Sequence, residues 1–128
     1  MKLELAKKMV EVGFKQTSDF YWVVEKGNTY KELSSNLFRV LNDHLEAIYP
    51  NYTVEQLGVM LPESLDLVSN PKGKSWLDIS KITNFKGEVV WTVGYGNMKG
   101  AIFLFETANT EADARAKMLI YLKGNGYI

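Results

Sequence analysis

Residues 86–123, KGEVVWTVGYGNMKGAIFLFETANTEADARAKMLIYLK, decide the fold. The run reads strand, turn, strand, turn, helix. In 88–95 Val89, Trp91 and Val93 fall on one face, and Val90, Thr92 and Gly94 on the other, the period of two that a strand imposes. Gly96 to Gly100 is a hairpin turn, where glycine supplies positive φ. Residues 101–106, AIFLFE, are apolar on both faces, which predicts a central strand or one covered on both sides. The closing helix spans about 109–123, capped by Asn109 or Thr110. Ala112, Ala116, Met118, Leu119, Ile120 and Leu122 form its broad apolar face. Asp113, Lys117 and Tyr121 form its wet stripe, and Gly124 ends it.

Everything earlier reads as material packed onto this unit. Residues 2–14 form an amphipathic helix whose polar stripe is Glu4, Lys7, Lys8 and Glu11. Its apolar arc suits a helix wedged between the sheet and another helix, or one shared with a second subunit. Gly13 is its stop. Residues 19–26, DFYWVVEK, carry the β-branched and aromatic side chains of a strand.

Residues 30–48 are predicted as a helix. Thr29-Tyr30-Lys31-Glu32 has the capping-box pattern, and Tyr30, Leu33, Leu37, Val40, Leu41, His44 and Ile48 share a helical face. The competing reading is a hairpin, with TYKEL returning against FYWVV and a shorter helix behind it. Pro50 breaks the element. Thr53-Val54-Glu55-Gln56 is a second capping box, opening a helix that ends near Leu61. Residues 62–74 form a connection, and 75–83, SWLDISKIT, a half-buried strand.

The fold class expected is therefore α+β: a three- to four-stranded, mainly antiparallel sheet with the C-terminal helix on one face, plus N-terminal helices. The 128 residues suit one domain, with a helix/strand/helix part over 1–52 and a helix–strand–strand–strand–helix part over 53–128. Hydrophobic residues make up 46%, enough to form a core without cross-links.

Composition removes several functions. The chain has no cysteine, so thiol catalysis, disulfide frameworks, iron–sulfur clusters and cysteine-rich zinc sites are excluded. Lys plus Arg equals Asp plus Glu, 15 each; a protein that grips phosphate backbones usually has a basic excess. The N-terminus is charged throughout and no run reaches the roughly 18 apolar residues of a membrane span, so a cytoplasmic location is expected.

The chemistry-bearing motifs are weak. Gly73-Lys74-Ser75 has the ending of a phosphate-binding loop, but Val68 stands where that motif needs glycine and a strand follows instead of a helix. His44 is the one histidine and cannot make a multi-histidine metal site. Glu63, Asp66, Asp78, Glu88 and Glu106 are dispersed, with no spacing that marks a carboxylate pair. No cofactor is expected. The aromatics Phe20, Tyr21, Trp22, Trp76, Trp91 and Tyr95 all fall on predicted strands. Alternation turns some of them away from the helix-covered face, either into intrachain packing or into a partner surface.

Two resemblances bear on context. Residues 53–123 read helix, three strands, helix, which resembles the element order of a double-stranded-RNA-binding domain, and TEADARAKMLIYL resembles that family's alanine-rich last helix. That family's helix opens with a lysine cluster. Here Thr110, Glu111 and Asp113 stand at its start, and the two carboxylates would repel phosphate, so the resemblance implies topology without RNA binding. LELAKKMVEVGF, FYWVV, YTVEQLGVMLP and EADARAKMLIYL with the NGYI ending are similar to small uncharacterised proteins of phages and prophages of gut bacteria. This implies a mobile-element context and no mechanism.

The function expected is a non-enzymatic protein-interaction module, self-associating as a homodimer or binding another protein. The alternative is a small-ligand or peptide binder with a cleft beside Trp22, Trp76 and Trp91. A nucleic-acid-binding domain and an enzyme with a hidden carboxylate site rank behind these.

Overall fold

A computed structural model describes residues 1–25, 31–34, 45–71 and 73–128. In chain order these form α1 (Leu3–Glu11), β1 (Phe20–Glu25), β2 (Lys31–Ser34), β3 (Leu45–Pro50), α2 (Val54–Met60), β4 (Ser64–Leu65), β5 (Ser75–Thr83), β6 (Val89–Gly96), β7 (Ile102–Ala108) and α3 (Glu111–Gly124). The class is α+β, as the sequence predicts.

The strands make two antiparallel sheets. The smaller has the order β2-β1-β3 and the larger β4-β5-β6-β7. The helices lie against and between them. α3 packs on β6 and β7, α1 packs on both α3 and β3, and α2 packs on α3. The wide apolar arc of α1 is thus the wedge its sequence suggests, with Leu5, Ala6 and Met9 buried.

α3 is surrounded. Asp113, Ala114, Ala116, Met118, Leu119 and Leu122 are all buried, and Val93 and Tyr95 of β6 complete the core beneath them. Asp113 is the exception to the predicted wet stripe. Its carboxylate accepts a 2.8 Å hydrogen bond from the backbone N–H of Lys2, so the start of α1 covers it. Thr110 caps the helix, its hydroxyl accepting from the Asp113 N–H at 3.2 Å.

The predicted helix over 30–48 is overturned at both ends. Lys31–Ser34 pairs with Phe20–Val23, and Leu45–Pro50 pairs with Tyr21–Glu25. The competing hairpin describes residues 31–34 correctly. An aromatic, β-branched strand flanked on both edges gains more from two ladders than residues 31–34 and 45–50 would gain from local helix preference. His44 and the shorter helix expected behind the hairpin fall outside the described residues. Pro50 closes the edge strand β3, a position where a missing N–H costs little.

Two further corrections concern the larger sheet. The connection over 62–74 contributes β4, which pairs Ser64 with Trp76 and Leu65 with Ser75. Among the described residues strand β7 is an edge rather than the centre, bonded to β6 and to no second strand. Its apolar pattern has another cause, since one face lies under α3 and the other carries exposed side chains.

The capping box at Thr53 forms as read. The Gln56 N–H donates to Thr53 Oγ1 at 3.2 Å, and the Thr53 N–H donates to Gln56 Oε1 at 2.9 Å. Gly13 ends α1 with φ of 106° and lets Phe14 fold back into the core.

Candidate functional site

The larger sheet has an inner and an outer face. Register places Trp76, Asp78, Ser80 and Ile82 of β5 beside Gly96, Gly94, Thr92 and Val90 of β6, and Gly96, Gly94 and Thr92 beside Ile102, Phe105 and Thr107 of β7. Directly opposite residues share a face. Their neighbours Val93 and Tyr95 point into the core under α3, so this set faces outward.

Among the described residues no element covers the outer face, where large apolar side chains alternate with Asp78, Ser80 and Thr107. Trp76 is 46% exposed, Ile82 44%, Ile102 50% and Phe105 60%. These large side chains stand on β5 and β7, flanking a floor of Gly94, Gly96 and the buried Thr92 on β6. A Cβ on Gly94 would lie 3.0 Å from the Leu104 carbonyl oxygen and 3.3 Å from Ile102 Cγ2 and Phe105 Cβ, so a side chain there would press on β7. Thr92 Oγ1 is buried there without a hydrogen-bond partner among the described residues. At the β6–β7 end the face deepens into a concavity of about 360 Å³, bounded by Trp76, Asp78, Met98 and Ile102 over Gly96 and Ala101.

Two turns of the same kind close the ends of this sheet. Asn84-Phe85-Lys86-Gly87 joins β5 to β6, and Asn97-Met98-Lys99-Gly100 joins β6 to β7. In each, the asparagine Oδ1 accepts from the N–H groups two and four residues on, all at 3.0 Å. The glycine takes positive φ, 81° at Gly87 and 90° at Gly100. That accounts for the Asn-x-Lys-Gly pattern, since asparagine braces the loop and only glycine accepts its last conformation without strain. The second residue of each turn is apolar and almost wholly in water, Phe85 at 98% and Met98 at 89%. The repeat of this tetrapeptide was visible in the sequence, and reading the glycines merely as turn formers missed it. Gly96, expected in the turn, belongs to β6, at a register shift against β7.

The six aromatic residues expected either in intrachain packing or on a partner surface are dispersed. Trp76 alone stands on the outer face of the larger sheet. Trp91 is on the inner face opposite Lys81, whose ammonium lies 5.6 Å from the ring centroid. Tyr95 is fully buried and donates a 2.7 Å hydrogen bond to the Pro62 carbonyl, which removes it from any surface. Phe20, Tyr21 and Trp22 belong to the smaller sheet. Phe20 is exposed, the Tyr21 hydroxyl accepts from the Ser18 N–H, and the Trp22 indole N–H donates to the Met1 carbonyl at 3.0 Å. Trp22, Trp76 and Trp91 therefore line no common cleft, because Trp76 and Trp91 occupy opposite faces of one sheet and Trp22 another sheet.

The buried phenols are structural. Tyr52 donates to the Gln16 carbonyl at 2.8 Å, and its pKa is pushed up to about 12, first by burial and then by the charge of Tyr21. Burial alone raises that of Tyr95. Among the described residues no group of three or more His, Cys, Asp or Glu side chains is placed to hold a metal ion. No helix among them is long and apolar enough to cross a membrane. Ser75 opens a strand, so the Gly73-Lys74-Ser75 sequence does not lead into a phosphate-cradling helix.

Comparison with protein-family models, with curated proteins and with solved structures found no match to this chain. The functional reading therefore rests on the geometry above.

Proposed function

We propose that this chain is a protein-interaction module that works through the outer face of its larger sheet, with further copies of itself as the partner. One observation carries the reading: Trp76, Ile82, Ile102 and Phe105 remain about half exposed, around a floor kept low by Gly94 and Gly96. Antiparallel sheets commonly turn one face to water, but such a face normally alternates to polar residues. This one keeps Asp78, Ser80 and Thr107 but also bears large, half-exposed apolar side chains on both flanking strands. Covering it would return roughly 25 cal/mol for each Å² of apolar surface removed from water. The zero net charge of the chain adds no repulsion between copies.

Light scattering on the wild-type protein and on Phe105→Asp tests this. Phe105 is exposed, so the substitution leaves the core intact while placing a charge in the middle of the face. The wild type is expected to gain mass between low and high micromolar concentration, and Phe105→Asp to stay a single chain. Equal behaviour of the two proteins would sink the reading.

A further inference from the structure

The outer face has a candidate occupant within the chain's own surface. At the β5–β6 end Phe85 stands in water beside the exposed Lys86, on a turn braced by Asn84. At the β6–β7 end lies the concavity lined by Trp76, Met98, Ile102 and Asp78. Asp78 is exposed, and among the described residues no ion pair or hydrogen bond engages its side chain. The tip offers an aromatic ring followed by a cation. The concavity offers apolar walls beside an exposed anion. The two lie at opposite ends of one sheet, so a chain cannot close the contact on itself.

We propose that the Phe85–Lys86 tip of one copy docks into the Trp76–Asp78–Met98–Ile102 concavity of the next, the ring against Trp76 and Met98 and the ammonium against Asp78. This rests on the reading of the outer face as the self-association surface and names what fills it. The twin turn cannot be the donor at this site, because Met98 is itself part of the wall. Donor and acceptor are different surfaces, so the contact is heterologous and each added copy presents a fresh tip and a fresh concavity. One turn in one concavity covers less than a standard interface, so the association is weak and builds at high micromolar concentration.

Complementation between two blocked proteins tests it. Phe85→Ser/Lys86→Glu removes the tip, and Asp78→Lys/Met98→Ser blocks the concavity. All four side chains are exposed, so both proteins are expected to melt as the wild type does, which circular dichroism checks first. In sedimentation velocity, the wild type is expected to exceed the mass of two chains as concentration rises, while each variant alone stays a single chain. Mixed in equal amounts, the variants supply one intact tip and one intact concavity, and the mass should rise to two chains and stop. Association of the tip variant like the wild type, or failure of the mixture to pair, overturns the head-to-tail contact. The broader reading then still stands if Phe105→Asp abolishes association. A wild type that remains a single chain throughout removes both.

Discussion

A Cβ on Gly96 would stand 2.3 Å from the carbonyl oxygen of Ala101 across the β6–β7 hairpin. That oxygen cannot retreat, because it accepts a 2.9 Å hydrogen bond from the Asn97 N–H, while the Ala101 N–H donates to Asn97 Oδ1. Glycine at this position is the condition for the register shift between β6 and β7 and for the floor of the concavity. Gly96→Ala is expected to cost about 1–3 kcal/mol, the usual range for forcing extra volume into a packed site. Chemical denaturation checks this, and an unchanged midpoint would mean that the hairpin relaxes freely.

Two buried phenols set the alkaline limit of stability. Tyr52 and Tyr95 donate to the carbonyls of Gln16 and Pro62, and burial raises both pKa values above their ordinary range. The unfolded chain releases these protons near pH 10, whereas the folded chain holds that of Tyr52 to about pH 12. Between those limits the native state binds more protons, so stability is full below pH 10 and falls as pH rises. Melting temperatures measured across pH 9 to about 11.5 should fall less steeply in Tyr52→Phe than in the wild type. At pH 7 the same substitution should lower stability by about 1–3 kcal/mol, because the Gln16 carbonyl loses its donor.

Thr92 makes the opposite prediction. Its hydroxyl is buried on the floor of the outer face with no partner among the described residues, so the folded state carries an unanswered polar group. Valine has the same shape and equal strand preference. Thr92→Val is expected to stabilise the fold by about 1 kcal/mol, against the general tendency of buried substitutions to destabilise. A loss of stability in thermal unfolding would show that the hydroxyl has a partner after all.

Legibility followed the reach of the forces involved. Where local chemistry dominates, the sequence reads directly: Thr53 with Gln56, Thr110 with Asp113, and Gly13 at the end of α1 all act as their patterns imply. Alternation likewise placed β5 and β6. The same capping text at Thr29–Glu32 misleads, because Lys31–Ser34 and Leu45–Pro50 are held by ladders to β1 that no local pattern encodes. Asp113 looked like a solvated position, since its spacing matches Lys117 and Tyr121. Its burial depends on the Lys2 N–H, 111 residues away. The candidate surface was half legible. Trp76 stands among the aromatics that the sequence singles out, whereas Ile82, Ile102 and Phe105 read only as strand formers, because nothing in a strand's own sequence says which face will be covered.

Arg115 and Gly58 offer a test whose sign depends on context. The Arg115 guanidinium reaches across α2, donating from Nη1 to the Val54 carbonyl at 3.3 Å and pairing with Glu111 at 3.3 Å. It passes so close over Gly58 that a Cβ there would fall 2.2 Å from Nη1. Alanine in a helix is ordinarily better than glycine by about 0.8–1.0 kcal/mol. Here the methyl displaces the guanidinium and breaks both contacts, so Gly58→Ala is expected to cost about 0.5–1 kcal/mol net. With Arg115→Ala already in place the obstruction is gone, and the same substitution should stabilise by about the intrinsic helix preference. The four proteins of this double-mutant cycle, compared by urea denaturation, should therefore show a reversal of sign at Gly58. Equal effects of Gly58→Ala in both backgrounds would mean that Arg115 does not occupy the space above α2 in solution.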